Sequence, residues 1–112
     1  MRVAAIYVSD EFRRQFRKLA KKYKSLVNDF ASFKLSLEEN PLQGVDLGGG
    51  VRKLRMSISA KGRGKSGGAR VITLNVMINQ EEEVEITLLT IYDKSEISNV
   101  SDAYIANIVK HL

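Results

Sequence analysis

The chain has 112 residues, a net charge of +5 and an apolar fraction of 44%, so it has room for one domain and is too apolar for a disordered tail. It contains no cysteine and a single histidine, His111, which excludes disulfides and thiolate chemistry and leaves no cluster with metal-ligand spacing. We therefore expect a single domain over residues 1–112, with no metal or other cofactor, whose charge favours nucleic acid as a partner.

The chain begins with a predicted strand and a predicted helix. Residues 2–8 have the composition of a strand, and Ser9 and Asp10 then supply the N-cap of a helix. Apolar side chains recur at positions 12, 16, 19 and 23, one stripe of an α-helix, and seven cations occupy its other faces. Those cations form either a solvated helix surface or a second contact zone, for the phosphates of ribosomal RNA or for an acidic partner protein.

A second helix and a loop follow. The helix is predicted from about Ser25 to Glu39, so the two helices form an αα-hairpin. Asn40 and Pro41 end it, because the residue before proline disfavours the α-helical region. Residues 42–50 are predicted to be a loop that finishes in three glycines.

The most basic part of the chain, which we call the basic stretch, covers residues 51–70. No Asp or Glu occurs from Leu47 to Gln80, and because cations confined in this way repel one another, they favour a polyanionic partner. Apolar and polar residues alternate over residues 53–59, with Lys53 and Arg55 on the polar face, which predicts a half-buried strand, and a glycine-rich loop follows. The seven cations of the basic stretch are Arg52, Lys53, Arg55, Lys61, Arg63, Lys65 and Arg70.

Two further strands and a short helix complete the pattern. Residues 69–78 are apolar on both faces, which predicts a central strand, and residues 84–92 predict a second buried strand after a polar turn. Ser101 has the position of an N-cap for a last helix. The order β-α-α-β-β-β-α predicts an α+β fold: a small, mainly antiparallel sheet with an N-terminal helical hairpin and a short C-terminal helix packed on one face.

The positions of the glycines and acids argue against three phosphate chemistries. Gly64, Lys65 and Ser66 match the end of a P-loop, but Ser59 stands where that motif needs a glycine, and a strand follows instead of a helix. No βαβ unit surrounds these glycines, which excludes a dinucleotide fingerprint. The clustered acids lie in the predicted turn at residues 81–83, which argues against a metal-dependent nuclease.

Metal-free cleavage of RNA fits the cations better. Lys and Arg hold a phosphate and stabilise the charge of a pentavalent transition state, and the 2′-hydroxyl of RNA is a built-in nucleophile. Tyr92 could stack on a base or act in proton transfer, or it could be a packed tyrosine at a strand end. Arg70 could act on the phosphate or form a structural ion pair.

Three segments together resemble a known family. They are residues 49–55 (GGVRKLR), 60–72 (AKGRGKSGGARVI) and 88–96 (LLTIYDKSE). The chain is similar to the RelE/ParE superfamily of toxins from type II toxin–antitoxin systems, and within it to the HigB-like branch. The resemblance implies a ribosome-dependent endoribonuclease that cuts mRNA and inhibits translation.

The same resemblance implies the partners of the chain. An antitoxin, often a helix-turn-helix DNA binder, silences such toxins, and they reach operator DNA only through it. The ribosome and its mRNA are the implied targets. The apolar run at residues 3–8 is too short for a signal peptide, and no segment approaches membrane-spanning length, so we expect a cytoplasmic protein without a membrane partner.

Site residues are implied where they match the family's pattern. Lys53 and Arg55 match a basic pair that contacts the scissile phosphate, and Arg70 matches an arginine that stabilises transition-state charge. Lys94 falls near a basic residue that follows the last sheet strand. The loop cations for which RNA contact is implied are Lys61, Arg63 and Lys65.

Departures from that pattern leave the general acid and base open. Some members place a catalytic tyrosine where this chain has roughly Val100, so Tyr92 is a substitute candidate. His111 falls in the last helix, where we expect a solvated or antitoxin-facing role. Two alternatives stay open: a gyrase-targeting toxin of the ParE type, and a non-catalytic nucleic-acid-binding module.

Overall fold

The computed structural model describes residues 1–62, 67–80 and 82–112. The predicted α+β fold is confirmed, with the helical hairpin and the last helix at the predicted positions. The elements in chain order are β1 Arg2–Val8, α1 Asp10–Lys22, α2 Leu26–Glu39, β2 Val45–Gly48, β3 Val51–Met56, a 3-10 turn Ser59–Lys61, β4 Ala69–Ile78, β5 Glu83–Asp93 and α3 Asp102–Lys110. None of the helices in these described residues is long and apolar enough to cross a membrane.

The strands form one sheet in the order β1-β5-β4-β3-β2. β1 pairs with β5 in parallel, and each of the other pairs is antiparallel. β4 and β5 lie in the interior of the sheet, as their apolar composition predicts, and they have the longest register of paired residues. The centre of the sheet is therefore the most rigid place on which a side chain can be held.

The strand β2 lies inside the segment 42–50, so the prediction of a loop there was wrong. All four of its side chains are exposed, and a strand without a buried face has no hydrophobic pattern by which its sequence could reveal it. Its backbone pairs with β3, with Val45 opposite Lys53. Gly49 and Gly50 turn the chain between the two strands with φ angles of 62° and 86°, which glycine adopts without strain.

Helices cover both faces of the sheet, so the prediction that all of them pack on one face was wrong for α3. The helical hairpin packs on the face that carries Leu54 and Val71. On the opposite face, Ile105 and Ile108 of α3 form a second core with Ile72. The physical reason is that β4 and β5 are apolar on both faces, and each apolar face has to be covered.

Two serines cap helices as predicted. Ser9 Oγ accepts a hydrogen bond from the Phe12 amide at 2.9 Å and donates one to the Leu89 carbonyl at 2.6 Å, which ties the start of α1 to β5. Ser101 Oγ accepts from the Tyr104 amide at 3.1 Å and begins α3.

Candidate nucleic-acid interface

A row of polar side chains crosses three adjacent strands on the face of the sheet that carries α3. Arg55 on β3 lies directly opposite Arg70 on β4, and Arg70 lies directly opposite Tyr92 on β5. Directly opposed residues share a face, and neighbouring strands are about 4.8 Å apart. We call Arg55, Arg70 and Tyr92 the arginine row. Lys53 lies on the same face, opposite Ile72.

The cations of this face differ in their exposure. Arg55 is exposed, whereas Arg70 is only 7% exposed and donates a hydrogen bond from Nη1 to the Ala69 carbonyl at 3.2 Å. Lys53 is half-buried, and its Nζ donates to Asn99 Oδ1 at 3.4 Å. A bound anion can therefore reach Arg55 and Lys53 directly, with the buried charge of Arg70 next to them.

The outer cations of this face are not neutralised by any carboxylate in the part of the chain that the structure describes. Among the described residues, neither Lys53 nor Arg55 takes part in a salt bridge. Arg52, between Val51 and Lys53, behaves differently: it lies 3.8 Å from Asp46 Oδ2 and donates to the Gln43 carbonyl at 2.9 Å. The basic stretch thus contains structural cations as well as cations available to a ligand.

Tyr92 is a buried member of the row. Its residue is 4% exposed, and its ring belongs to the core beneath α3. Burial raises the pKa of the Tyr92 phenol, which the charge of Arg70 partly offsets. The phenol is therefore protonated at neutral pH, so it can donate a proton but not accept one. The free structure therefore exposes little of the ring for the base stacking considered from the sequence.

Lys94 follows Tyr92 and Asp93 in the chain and forms hydrogen bonds with two neighbouring segments. Its Nζ donates to the Ser98 carbonyl at 2.8 Å, and its backbone amide donates to the Gly68 carbonyl at 3.1 Å. The second bond joins the end of β5 to the residue that precedes β4. Lys94 is half-buried, so its position favours a structural role beside the arginine row.

Lys61, expected from the sequence to contact RNA, is paired with a buried carboxylate in the free structure. Its side chain is 14% exposed, and its Nζ donates to the buried Asp93 carboxylate at 2.8 Å. Tyr23 and Ser95 donate to the same carboxylate at 2.6 and 2.7 Å. Burial alone would raise the pKa of Asp93, but these three hydrogen bonds and a fourth from the Ser95 amide outweigh it and hold that pKa well below its usual range. The other two loop cations, Arg63 and Lys65, lie outside the described residues.

Asp93 is a key residue that sequence reasoning passed over. One local signal was available, because an Asp side chain often accepts a hydrogen bond from the backbone amide two residues later and so forms a turn. Here the Ser95 amide donates to Asp93 Oδ1 at 2.9 Å. The decisive partners are distant in the chain: Tyr23 is 70 residues away and Lys61 is 32. No local pattern reveals such contacts.

A second polar network, also missed from the sequence, joins α3 to α1 and β5. Tyr104 donates to the Glu11 carboxylate, and its hydroxyl lies 2.9 Å from Thr90 Oγ1. Burial and the hydrogen bond to Glu11 raise the pKa of Tyr104 to about 12. Burial alone would raise the pKa of Glu11, but hydrogen bonds from Tyr104, Arg14 and Gln15 lower it. The network fixes α3 over the face that carries the arginine row.

The described residues contain no group of three or more His, Asp or Glu side chains that could hold a metal ion. Their chemistry on the sheet face is that of cations, a protonated phenol and hydrogen-bond donors, which suits an anionic ligand. In a comparison with known protein families, the model described as "RelE toxin of RelE / RelB toxin-antitoxin system" matches residues 6–111.

Proposed function

This chain belongs to the RelE toxin family, the toxin half of a toxin–antitoxin system, and from that premise we propose that it is a ribosome-dependent endoribonuclease that cuts mRNA without a metal ion. The observation that carries the proposal is the arginine row. Like charges directly opposite each other on a sheet are unfavourable by themselves. Arg55 lies opposite Arg70 and forms no salt bridge with any described residue. A phosphate bound between the two arginines would replace their mutual repulsion with attraction to its negative charge.

In the proposed reaction, the cations act on charge and the RNA supplies the nucleophile. The 2′-oxygen attacks the adjacent phosphorus and loses its proton, the P–O2′ bond forms, the P–O5′ bond breaks, and the 5′ oxygen takes up a proton. The products are a 2′,3′-cyclic phosphate and a 5′-hydroxyl end. Lys53 and Arg55 hold the non-bridging oxygens, and Arg70 stabilises the extra charge of the pentavalent transition state.

Tyr92 and Lys94 have supporting roles in this proposal. The protonated Tyr92 phenol packs beside Arg70 and restricts its orientation, and it can supply a proton to the leaving oxygen only if the bound RNA opens the site. Lys94 holds the end of β5 to the residue before β4. Arg63 and Lys65 are proposed to hold the RNA backbone, in keeping with their place in a glycine-rich loop.

Family membership also implies an antitoxin partner. We propose that it is a helix-turn-helix protein through which the toxin is held at operator DNA, and that the ribosome with its mRNA is the target of the free toxin. The protein is proposed to act in the cytoplasm, where translation takes place.

The test is to induce the chain in a bacterium and map the 5′ ends of its transcripts. We expect new ends within translated regions for the wild type and for Lys34→Gln, which removes an exposed cation from α2. We expect their loss in Arg70→Ala, and also in Arg70→Lys, which keeps the charge but loses the fork geometry.

Circular dichroism checks that each variant is folded. Growth arrest with unchanged transcripts would contradict the proposal, and arrest accompanied by DNA damage would identify gyrase as the target instead.

A further inference from the structure

A cavity of about 320 Å³ lies at the end of β5, beside the arginine row. It exists because β1 ends at Val8, opposite Leu88, and leaves the last part of β5 without a strand on that side. Gln15 from α1 and Tyr104 from α3 close the gap from two sides. Tyr92 forms part of the wall, so the cavity and the arginine row share a residue.

The Tyr92 hydroxyl is an independent sign that this cavity takes a ligand. It is buried and has no hydrogen-bond partner within the described chain. Buried polar groups are nearly always paired, so one without a partner calls for a group that binding would supply. Two of the four buried tyrosine, serine and threonine residues in the described chain, Thr90 and Tyr92, line this cavity. Thr90 Oγ1 lies 2.9 Å from the Tyr104 hydroxyl, so the Tyr92 hydroxyl is the one left without a partner there.

The walls of the cavity have the composition of a site for a flat, mainly apolar group with a polar edge. Val100 and the ring of Tyr104 are apolar walls, and Ile97, 45% exposed, lies at the surface beside them. Gln15 Nε2 donates to Glu11 Oε2 at 3.1 Å, which leaves its amide oxygen to accept. Ser101 Oγ accepts from the Tyr104 amide, which leaves its hydroxyl hydrogen to donate.

We propose that this cavity, which we call the base cavity, holds a nucleobase of the RNA strand whose phosphate lies on the arginine row. The inference rests on the proposed function, since it takes that phosphate site as given. Tyr92 lies directly opposite Arg70, so the base cavity begins one strand spacing, about 4.8 Å, from the strand that carries Arg70. Unpaired bases are read through their hydrogen-bonding edges. Gln15 and Ser101 are therefore the specificity-determining residues.

The first experiment measures base binding directly on the full chain. The four ribonucleoside monophosphates are titrated separately and followed by the amide NMR signals of the protein. We expect base-dependent shifts at Val100, Ser101 and Tyr104. Val100→Phe fills the cavity, so the nucleotide concentration that produces half of the maximal shift should rise at least tenfold. The exposed control Val76→Phe should leave that concentration unchanged.

Two outcomes would overturn the proposal: shifts confined to Arg55 and Arg70 and identical for the four nucleotides, or cavity shifts unaffected by Val100→Phe. Gln15→Ala provides a second variant that leaves the buried core unchanged. It should bind the four nucleotides with more equal affinity than the wild type, and unaltered discrimination would count against the base cavity.

The second experiment separates the base cavity from the proposed function. Transcript ends are mapped after induction of wild type and Gln15→Ala. We expect Gln15→Ala to change the nucleotide distribution at the cut sites. An unchanged distribution would overturn the base cavity and leave the nuclease proposal intact. If the wild type itself cuts no mRNA, the proposed function fails, and the NMR titration still decides whether the cavity binds a base.

Discussion

Arg55 and Arg70 lie directly opposite each other in the antiparallel pair of β3 and β4, two like charges on one face of the sheet. Such a pair is unfavourable by roughly 0.2–1 kcal/mol relative to neutral residues. Arg70 cannot move away, because it is buried on a central strand. We propose that a phosphate bound between the two arginines relieves this repulsion.

The first prediction concerns that cost. Arg55→Gln should raise the free energy of unfolding by about 0.2–1 kcal/mol, because it removes the repulsion without uncovering a buried surface. Lys34→Gln, an exposed change on α2, should stay within about 0.5 kcal/mol of the wild type. Urea unfolding measures both. A loss of more than about 1 kcal/mol in Arg55→Gln would show that Arg55 has stabilising contacts.

The second prediction concerns the buried carboxylate of Asp93. Asp93→Asn should lower the free energy of unfolding by about 3 kcal/mol at pH 7, because it leaves the ammonium of Lys61 without its counter-charge. Asp46→Asn is the control: Asp46 is exposed and 3.8 Å from Arg52, so its loss should cost less than about 1 kcal/mol.

The pH dependence of the same pair gives a sharper criterion. The pKa of Asp93 is lowered in the folded chain. The charged carboxylate therefore contributes to the free energy of unfolding above the unfolded pKa of 3.8, and this contribution is lost as the pH falls below that value. The difference between wild type and Asp93→Asn should therefore be constant from pH 7 to about 5 and shrink below about 4. A difference that does not depend on pH would contradict the ion pair.

The third prediction concerns Tyr104, whose pKa is raised to about 12 by burial and by Glu11. Because this pKa is raised, the protonated Tyr104 hydroxyl makes its full contribution to the free energy of unfolding below the unfolded pKa of 10.0. That contribution is lost as the pH rises from there to about 12. Tyr104→Phe should cost about 1 kcal/mol at neutral pH and should lack this alkaline loss. Tyr7→Phe, at a tyrosine that is 51% exposed, should change stability by less than about 0.5 kcal/mol. Phenolate absorbance follows the titration.

The fourth prediction compares two glycines with positive φ angles. A Cβ on Gly44 would lie 2.3 Å from the Lys53 carbonyl oxygen, whereas one on Gly49 would meet nothing within 4 Å. Both alanine variants bear the strain of the left-handed region, about 1 kcal/mol. Gly44→Ala should lose about 1–3 kcal/mol more and displace Lys53. Equal stabilities by urea unfolding would contradict the close packing of Gly44 on β3.

The faces of the site residues could be predicted from the sequence, but their register could not. Alternation along β3 places Lys53 and Arg55 on one face, and this follows from the period of a strand. The pairing of Arg70 with Tyr92 depends on a bulge between β4 and β5, where the register shifts beside Ile72. Without the shift, Ile91 would lie opposite Arg70. A change of one residue in the register moves every side chain of a strand to the other face of the sheet.

The roles of individual cations were harder to predict than the fold. Lys61 lies beside glycines in a basic run, so composition alone assigns it to RNA, and only the folded chain brings it to Asp93. The strand β2 was missed for a related reason, because its side chains are exposed and its stability comes from backbone pairing with β3. Both depend on contacts that local sequence does not encode.

The most direct test of the phosphate site is single-turnover cleavage of mRNA on programmed ribosomes at saturating toxin. Arg55→Gln, which is expected to fold at least as stably as the wild type, should cut at least about 100-fold more slowly, because one charged donor to the transition state is lost. Lys34→Gln should cut at the wild-type rate. Cleavage by Arg55→Gln at the wild-type rate would contradict a catalytic arginine row.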